Sequence, residues 1–217
     1  MPKKRVAVLI SGRGSNMAAL VEAAKAHDYP AEIALVLSNR ADAAGLALAE
    51  RQHVPTCVVD HRPHGKGRAA FEQALQAVLD QHRIELICLG GFMRLFTDEF
   101  VLRWQGRMLN VHPSLLPAFK GLDPHGQALA AGVKITGATV HVVTPDMDSG
   151  PIIAQAAVPV HDDDTAATLA ARVLAVEHRI YPVALRLVAE GSVRIVDGRC
   201  RIDGAHPAEA ALIVPAD

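Results

Sequence analysis

The chain has 217 residues, with 22 Lys and Arg against 23 Asp and Glu, a formal net charge of −1. That balance excludes a nucleic-acid binder driven by bulk electrostatics and a polybasic membrane-surface protein. Half of the residues are hydrophobic and only 4% are aromatic, which excludes disorder as the main state and predicts a core of Val, Leu, Ile and Ala.

The predicted elements alternate strand and helix. Arg5–Ile10 is a short apolar run that ends at Ser11-Gly12 and reads as a buried strand. Ser15–His27 is an Ala-rich helix, Ile33–Leu37 a second buried strand, Ala41–Gln52 a helix and Thr56–Val59 a third strand. Gly67–His82 places Phe71, Leu75, Val78 and Leu79 at helical spacing. Ile84–Leu89, Thr97–Trp104 and Arg107–Val111 follow as strand, short helix and strand. Repeated βαβ units with continuously apolar strands indicate a parallel sheet covered by helices on both faces, a Rossmann-like α/β class. After a helical stretch at Leu122–Ala131 the pattern changes. Ile135–Val143 and Pro151–Val160 read as a later antiparallel hairpin across the turn Thr144–Gly150. Thr165–Val188 is a long helix that Pro182 is expected to kink or end, with Asp162–Asp164 as capping candidates. Val193–Val196 and Arg199–Ile202 form a small hairpin around Asp197-Gly198.

Lys3, Lys4 and Arg5 imitate the start of a signal peptide, but only Val6–Ile10 follow, short of the roughly 7–15 apolar residues required. No apolar run approaches the roughly 18 residues of a membrane span. Cys57, Cys88 and Cys200 are odd in number and match no zinc or C-x-x-C pattern. The expectation is a cytoplasmic protein without membrane attachment.

Three places carry candidate chemistry. Ser11–Asn16 (S-G-R-G-S-N) joins the first strand to the first helix, where open α/β sheets bind ligands. Its glycines allow close backbone approach, and a helix N-terminus favours an anion. The dinucleotide fingerprint fails because Met17 stands at the third glycine position, and Walker A fails for want of G-K-[ST]. A small phosphate is one reading; a tight turn with Ser15 as helix N-cap is the other. Asn110-Val111-His112 ends the fifth strand, so Asn110 and His112 share a face. An amide donor beside a titratable ring suits an oxyanion at a carbonyl under attack. A polar strand end that satisfies its own turn is the alternative. Asp148, in T-P-D-M-D-S-G-P, is either an ordinary turn acid or a partner that orients His112 and favours its charged form. Asp60-His61-Arg62-Pro63-His64 is a weak metal candidate without further ligands, and Asp162–Asp164 read as capping and solvated charge. His27, His53, His82, His125, His161 and His206 read as surface or loop residues. No nucleophile elbow is present, so covalent catalysis lacks support.

Taken in order, S-G-R-G-S-N (11–16), G-G-F-M-R (90–94), N-V-H-P-S-L-L-P (110–117), D-x-D-S-G-P (146–151) and E-H-R-I-Y-P (177–182) resemble the phosphoribosylglycinamide formyltransferases, folate-dependent enzymes of purine biosynthesis. The N-x-H-P-S-L-L-P segment is shared more widely, with methionyl-tRNA formyltransferase and formyltetrahydrofolate hydrolase among others. The G-S-N loop and E-H-x-I-Y-P point to the ribonucleotide branch, and the chain length leaves no room for those relatives' extra domains. The resemblance implies a single formyltransferase domain over 1–217, with a ribonucleotide-binding half (1–110) and a folate-binding and C-terminal half (111–217). It implies 10-formyltetrahydrofolate as co-substrate, glycinamide ribonucleotide as acceptor, no metal, no nucleic acid, no membrane, and a monomer or homodimer. By resemblance, Asn110, His112 and Asp148 are catalytic, and Gly14, Ser15, Asn16 and Glu177 bind the ribonucleotide. Arg68, Met93, Arg94, Leu95 and Phe96, with Asn110, bind the folate, Arg68 facing its anionic tail. A hydrolase or another folate-dependent formyltransferase is the alternative. Gly126 departs from the family pattern, where relatives commonly carry a larger polar residue.

Overall fold

The computed structural model describes residues 2–65, 67–204, 212 and 214. Its main sheet has seven strands in the order β3-β2-β1-β4-β5-β6-β7. These are β1 (Lys4–Ile10), β2 (Ala31–Ser38), β3 (Thr56–Val58), β4 (Leu86–Leu89), β5 (Met108–His112), β6 (Ile135–Val142) and β7 (Ile152–Pro159). The helices are α1 (Ser15–Ala24), α2 (Ala44–Arg51), α3 (Arg68–Gln81), α4 (Asp98–Arg103), α5 (Pro124–Ala130) and α6 (Ala166–Ala189). A separate two-stranded hairpin pairs β8 (Val193–Val196) with β9 (Arg199–Ile202). The open, mostly parallel α/β class expected from the alternating pattern is the one observed.

The chain divides into two compact units, residues 1–110 with 142–145, and residues 111–141 with 146–217. In the first unit β1 lies between β2 and β4, parallel to both. Val6–Ile10 are fully buried, because a central parallel strand is covered on both faces; hence the run is apolar without alternation. Sheet order runs one way from β1 through β2 to β3 and the other way to β4. That reversal is a topological switch point, and the chain leaving β1 and the chain leaving β4 emerge there together. The core beneath joins Leu9, Leu35 and Ile87 to Phe71, Leu75 and Leu79 of α3.

In the second unit β6 and β7 pair antiparallel, from Ile135↔Pro159 to His141↔Ile152, with an irregularity between Val140 and His141. Leu169 and Val173 of α6 pack on Ala138 and Val158 beneath them. Here several expectations need correction. Helix α6 does not stop at Pro182 but runs on to Ala189, since its apolar face, with Tyr181, Ala184 and Leu185 buried, holds it on both sides of the proline. Its N-cap is Thr165, in a reciprocal capping box with Thr168, not one of the three aspartates. Asp164 is spent otherwise: its carboxylate takes Arg172 Nη1 at 2.6 Å and Nη2 at 3.0 Å, and also accepts from the His161 N–H. Helix α1 ends at Ala24 rather than His27, and α5 starts at Pro124, capped by Asp123, whose side chain accepts from the Gly126 N–H. A Cβ at Gly126 would lie 2.2 Å from the Asp123 carboxyl, so the unusual glycine and that cap go together.

Hydrogen bonds from Arg172 hold the Asp164 carboxyl below the usual carboxylate range. A carboxylate with a depressed native pKa contributes stability above its unfolded pKa and loses it as pH falls through the native value. Asp164→Asn is therefore less stable than wild type at pH 7. The gap narrows as pH drops below about 3.9, the ordinary aspartate value. Denaturant melts of both proteins from pH 7 to pH 2 measure it; a gap independent of pH contradicts the assignment.

Candidate active site

Loop 11–16 leaves β1 at the switch point. Gly14 is the N-cap of α1 with φ 72° and ψ 28°, a left-handed conformation that a side chain disfavours. The reading of Ser15 as N-cap is thereby corrected: Ser15 is the first helical residue, and no side chain caps the helix. The leading N–H groups of a helix have no partner inside it, so the start of α1 is where the chain can offer backbone donors to an anion. A Cβ on Gly14 would meet Gly45 Cα at 3.0 Å, and one on Gly45 would meet Ile10 Cδ1 at 2.6 Å. The Gly45 N–H also donates to the Gly12 carbonyl at 2.9 Å. Gly45, at the start of α2, thus seats the loop. The sequence reading missed it, although a lone glycine in an Ala-rich helix is a visible oddity.

The segment after β4, Gly90–Phe96, has no regular structure. Phe92 and Phe96 turn inward into a ring stack that runs Phe71–Phe92–Phe96–Phe100, with centroids 6.5, 5.4 and 4.7 Å apart. Met93 and Leu95 turn outward, 73% and 65% exposed. Arg94 sits over the Phe71 ring at 5.9 Å, and Arg68 Nη1 donates to the Phe96 carbonyl at 3.3 Å. Arg68 therefore lies against the segment and not off on its own.

In the second unit one carboxylate gathers three segments. Asp148 has φ 49°, a left-handed conformation that aspartate tolerates better than most residues. Its side chain is 9% exposed. Asp148 Oδ2 accepts from the Gly121 N–H at 2.9 Å and lies 3.4 Å from His112 Nδ1, while Oδ1 lies 3.8 Å from His141 Nε2. The two histidines come from β5 and β6, and both are buried. His112 Nε2 meets the Phe119 carbonyl at 2.8 Å. A carbonyl oxygen only accepts, so this nitrogen carries a proton. The loop that brings Phe119 there is pinned to β6 and β7: Thr139 Oγ1 accepts from the Leu116 N–H and donates to the Ser114 carbonyl, and Gln155 Nε2 donates to the Leu116 carbonyl. Asn110 is half-buried on the same strand, two residues before His112. Glu177 is buried on α6, beside His178, whose imidazole burial pushes below its ordinary pKa. His141, Gly121 and Phe119 escaped the sequence reading, since nothing local marks them.

The weaker candidates have ordinary partners. Arg62 grips both oxygens of Asp60 and pulls its carboxyl down to about 2, and His61 pairs with Asn39. Among the described residues no group of three or more His, Cys, Asp or Glu is arranged to hold a metal ion. His27, His53 and His161 are exposed, His82 and His125 half-buried, and His206 lies outside the described residues. No described helix is long and apolar enough to cross a membrane.

The chain as a whole has known counterparts. The formyl transferase profile matches residues 4–185. The chain belongs to the formyl transferase family. It is 38% identical over 201 residues to the phosphoribosylglycinamide formyltransferase of Haemophilus influenzae, covering 93% of this chain and 94% of that one. It is 51% identical over 193 residues to the trifunctional purine biosynthetic protein adenosine-3 of Homo sapiens, covering 89% of this chain. The chain spans only about a fifth of that relative, 19% of its length. Glycinamide ribonucleotide transformylase 1 from Symbiobacterium toebii superposes with a TM-score of 0.89 at 47% identity, over 92% of this chain and 94% of that one. The His112 contact with Phe119 is directly observable. Imidazole ¹⁵N NMR should report a protonated Nε2 for His112 in the ligand-free protein; a bare Nε2 with protonated Nδ1 contradicts the assignment.

Proposed function

We propose that the chain transfers a formyl group from 10-formyltetrahydrofolate to the amine of glycinamide ribonucleotide, in purine biosynthesis. One observation carries the reading above the rest: near-complete mutual coverage with a phosphoribosylglycinamide formyltransferase. The anionic ribonucleotide phosphate suits Gly14, Ser15 and Asn16, where a left-handed glycine and a helix N-terminus present N–H groups. Glu177 would bind the ribose hydroxyls. The exposed apolar side chains of Met93 and Leu95, with Phe96 and the cations Arg94 and Arg68 close by, suit a flat ring with a carboxylate tail. A family of this kind implies a folate-type co-substrate and small-molecule partners. Cys57, Cys88 and Cys200 are free, in keeping with a reducing cytoplasm.

In the proposed mechanism the neutral amine attacks the formyl carbon, and the carbonyl oxygen becomes an oxyanion. Asn110 donates to it through its amide, and His112 through a ring N–H. In the ligand-free geometry His112 Nε2–H is bonded to the Phe119 carbonyl, so this donor must exchange that partner for the oxyanion. Hydrogen bonds of this kind often tighten only when substrate arrives. Asp148, 3.4 Å from His112 Nδ1, orients the ring. The proton released by the attacking nitrogen passes to Asp148, directly or through water. The folate nitrogen takes up a proton as its bond to the formyl carbon breaks, and tetrahydrofolate leaves.

Loss of one oxyanion donor costs on the order of 10²–10³ in rate. Asn110→Ala and His112→Ala should each lose at least that much turnover while still folding, measured by the absorbance of the deformylated folate. Near-normal turnover in either would remove the mechanism. Gly14→Val should weaken ribonucleotide binding more than turnover at saturation. Unchanged affinity would count against the phosphate assignment. Formation of tetrahydrofolate only when the ribonucleotide is present supports the transferase; release without it would mark a hydrolase instead.

A further inference from the structure

Glu72 lies on α3, outside every group assigned above, and is only 5% exposed. A buried carboxyl is costly unless hydrogen bonds replace its lost water. Here both oxygens go to one residue: Oε1 accepts the Thr97 N–H at 2.6 Å, and Oε2 accepts the Thr97 hydroxyl at 2.5 Å. Thr97 in turn caps α4, accepting from the Phe100 N–H. It is also the residue at which the segment after β4 ends.

The other end of that segment is held in the same manner. Ser11 is buried; its hydroxyl accepts the Met93 N–H at 2.8 Å and donates to Asn39 Oδ1 at 2.6 Å. The Ser11 N–H donates to the Gly91 carbonyl at 3.2 Å. Between the two ends, Phe92 and Phe96 are sunk into the ring stack, and Arg68, one turn before Glu72 on α3, takes the Phe96 carbonyl. An irregular segment is thus tied at residues 91, 93, 96 and 97 by groups from outside it. What it presents to solvent between those ties is Met93 and Leu95. A mere connection from strand to helix needs no buried carboxyl. A binding platform does, because ordering it before the ligand arrives removes that cost from the binding step.

We propose that Glu72 and Ser11 are positioning residues that hold segment 91–97 as a preformed platform and so set the affinity for the folate co-substrate without touching the reacting atoms. The inference rests on the reading of Met93–Phe96 as the folate-binding segment.

The test is the binding of 10-formyltetrahydrofolate to the full chain by titration calorimetry, with steady-state kinetics beside it. Glu72→Gln keeps the size and removes one acceptor. It should raise the Kd for the folate about tenfold, the scale of one hydrogen bond to a charged group. Turnover at saturation and the KM for the ribonucleotide should stay within about twofold of wild type, a split that general damage to the fold does not produce. Thr97→Val should weaken folate binding comparably, and Thr97→Ser should bind as wild type does. The double variant Glu72→Gln with Thr97→Val should be little worse than either alone, since both remove one interaction. Ser11→Ala should weaken folate binding as well. Should Glu72→Gln fail to fold, the contrast between Thr97→Val and Thr97→Ser carries the same test. Folate affinity unchanged in Glu72→Gln and Thr97→Val overturns the inference and leaves the proposed function standing. So does an equal loss in both KM values and in turnover. A wild-type protein that binds no folate overturns both.

Discussion

Everything chemical in the second unit depends on where one carboxylate points. Asp148 sits in a tight turn, in a conformation that few residues accept, and this swings its side chain inward. There it meets a backbone N–H from the loop after β5, a histidine from β5 and a histidine from β6. Three segments distant in sequence thereby share one acceptor. The contacts to the two rings are longer than ordinary hydrogen bonds, while the one to Gly121 is of normal length. The backbone N–H fixes the carboxylate, and the rings are arranged around it.

The first unit depends on a different constraint, the packing of backbone on backbone. The Gly14 and Gly45 Cα atoms approach so closely that a side chain on either would collide with the other or with Ile10. This contact turns the chain leaving β1 into the start of α1 and leaves helix N–H groups facing the loop. Ser11, at the root of the same loop, also ties down the segment that leaves β4. The two segments that emerge at the switch point are therefore joined through Ser11, by its buried hydroxyl to Met93 and its backbone N–H to Gly91.

Much of this was legible in the sequence, for physical reasons. Buried parallel strands must be continuously apolar, so β1, β2 and β4 announced themselves, with ends wrong by only a few residues. The period-2 geometry of a strand was enough to put Asn110 and His112 on one face. Long-range contacts were not legible. Asp148 read more readily as an ordinary turn residue, because its meeting with His112 depends on a left-handed φ and on the path of the loop through Gly121. Glu72 carries no local mark, since nothing in its own helix reveals that Thr97 comes to rest against it. Of the two outcomes open at Pro182, a kink or an end, the end does not occur, because the buried face of α6 holds the helix together past the proline. The aspartates before α6 misled: all are plausible caps, but Arg172 claims Asp164 and leaves the cap to Thr165.

In the proposed mechanism formyl transfer depends on His112 held by Asp148, and the Asp148→Asn variant separates the charge of that carboxylate from its shape. Asparagine keeps the shape and can still accept from the Gly121 N–H, but it removes the charge that faces the two rings. Turnover with 10-formyltetrahydrofolate and glycinamide ribonucleotide should fall by on the order of 10²–10³, the scale of losing a preorganised electrostatic contact, with the melting temperature little changed. Turnover within about twofold of wild type in a folded Asp148→Asn protein, well short of that loss, would show that the carboxylate charge is not needed.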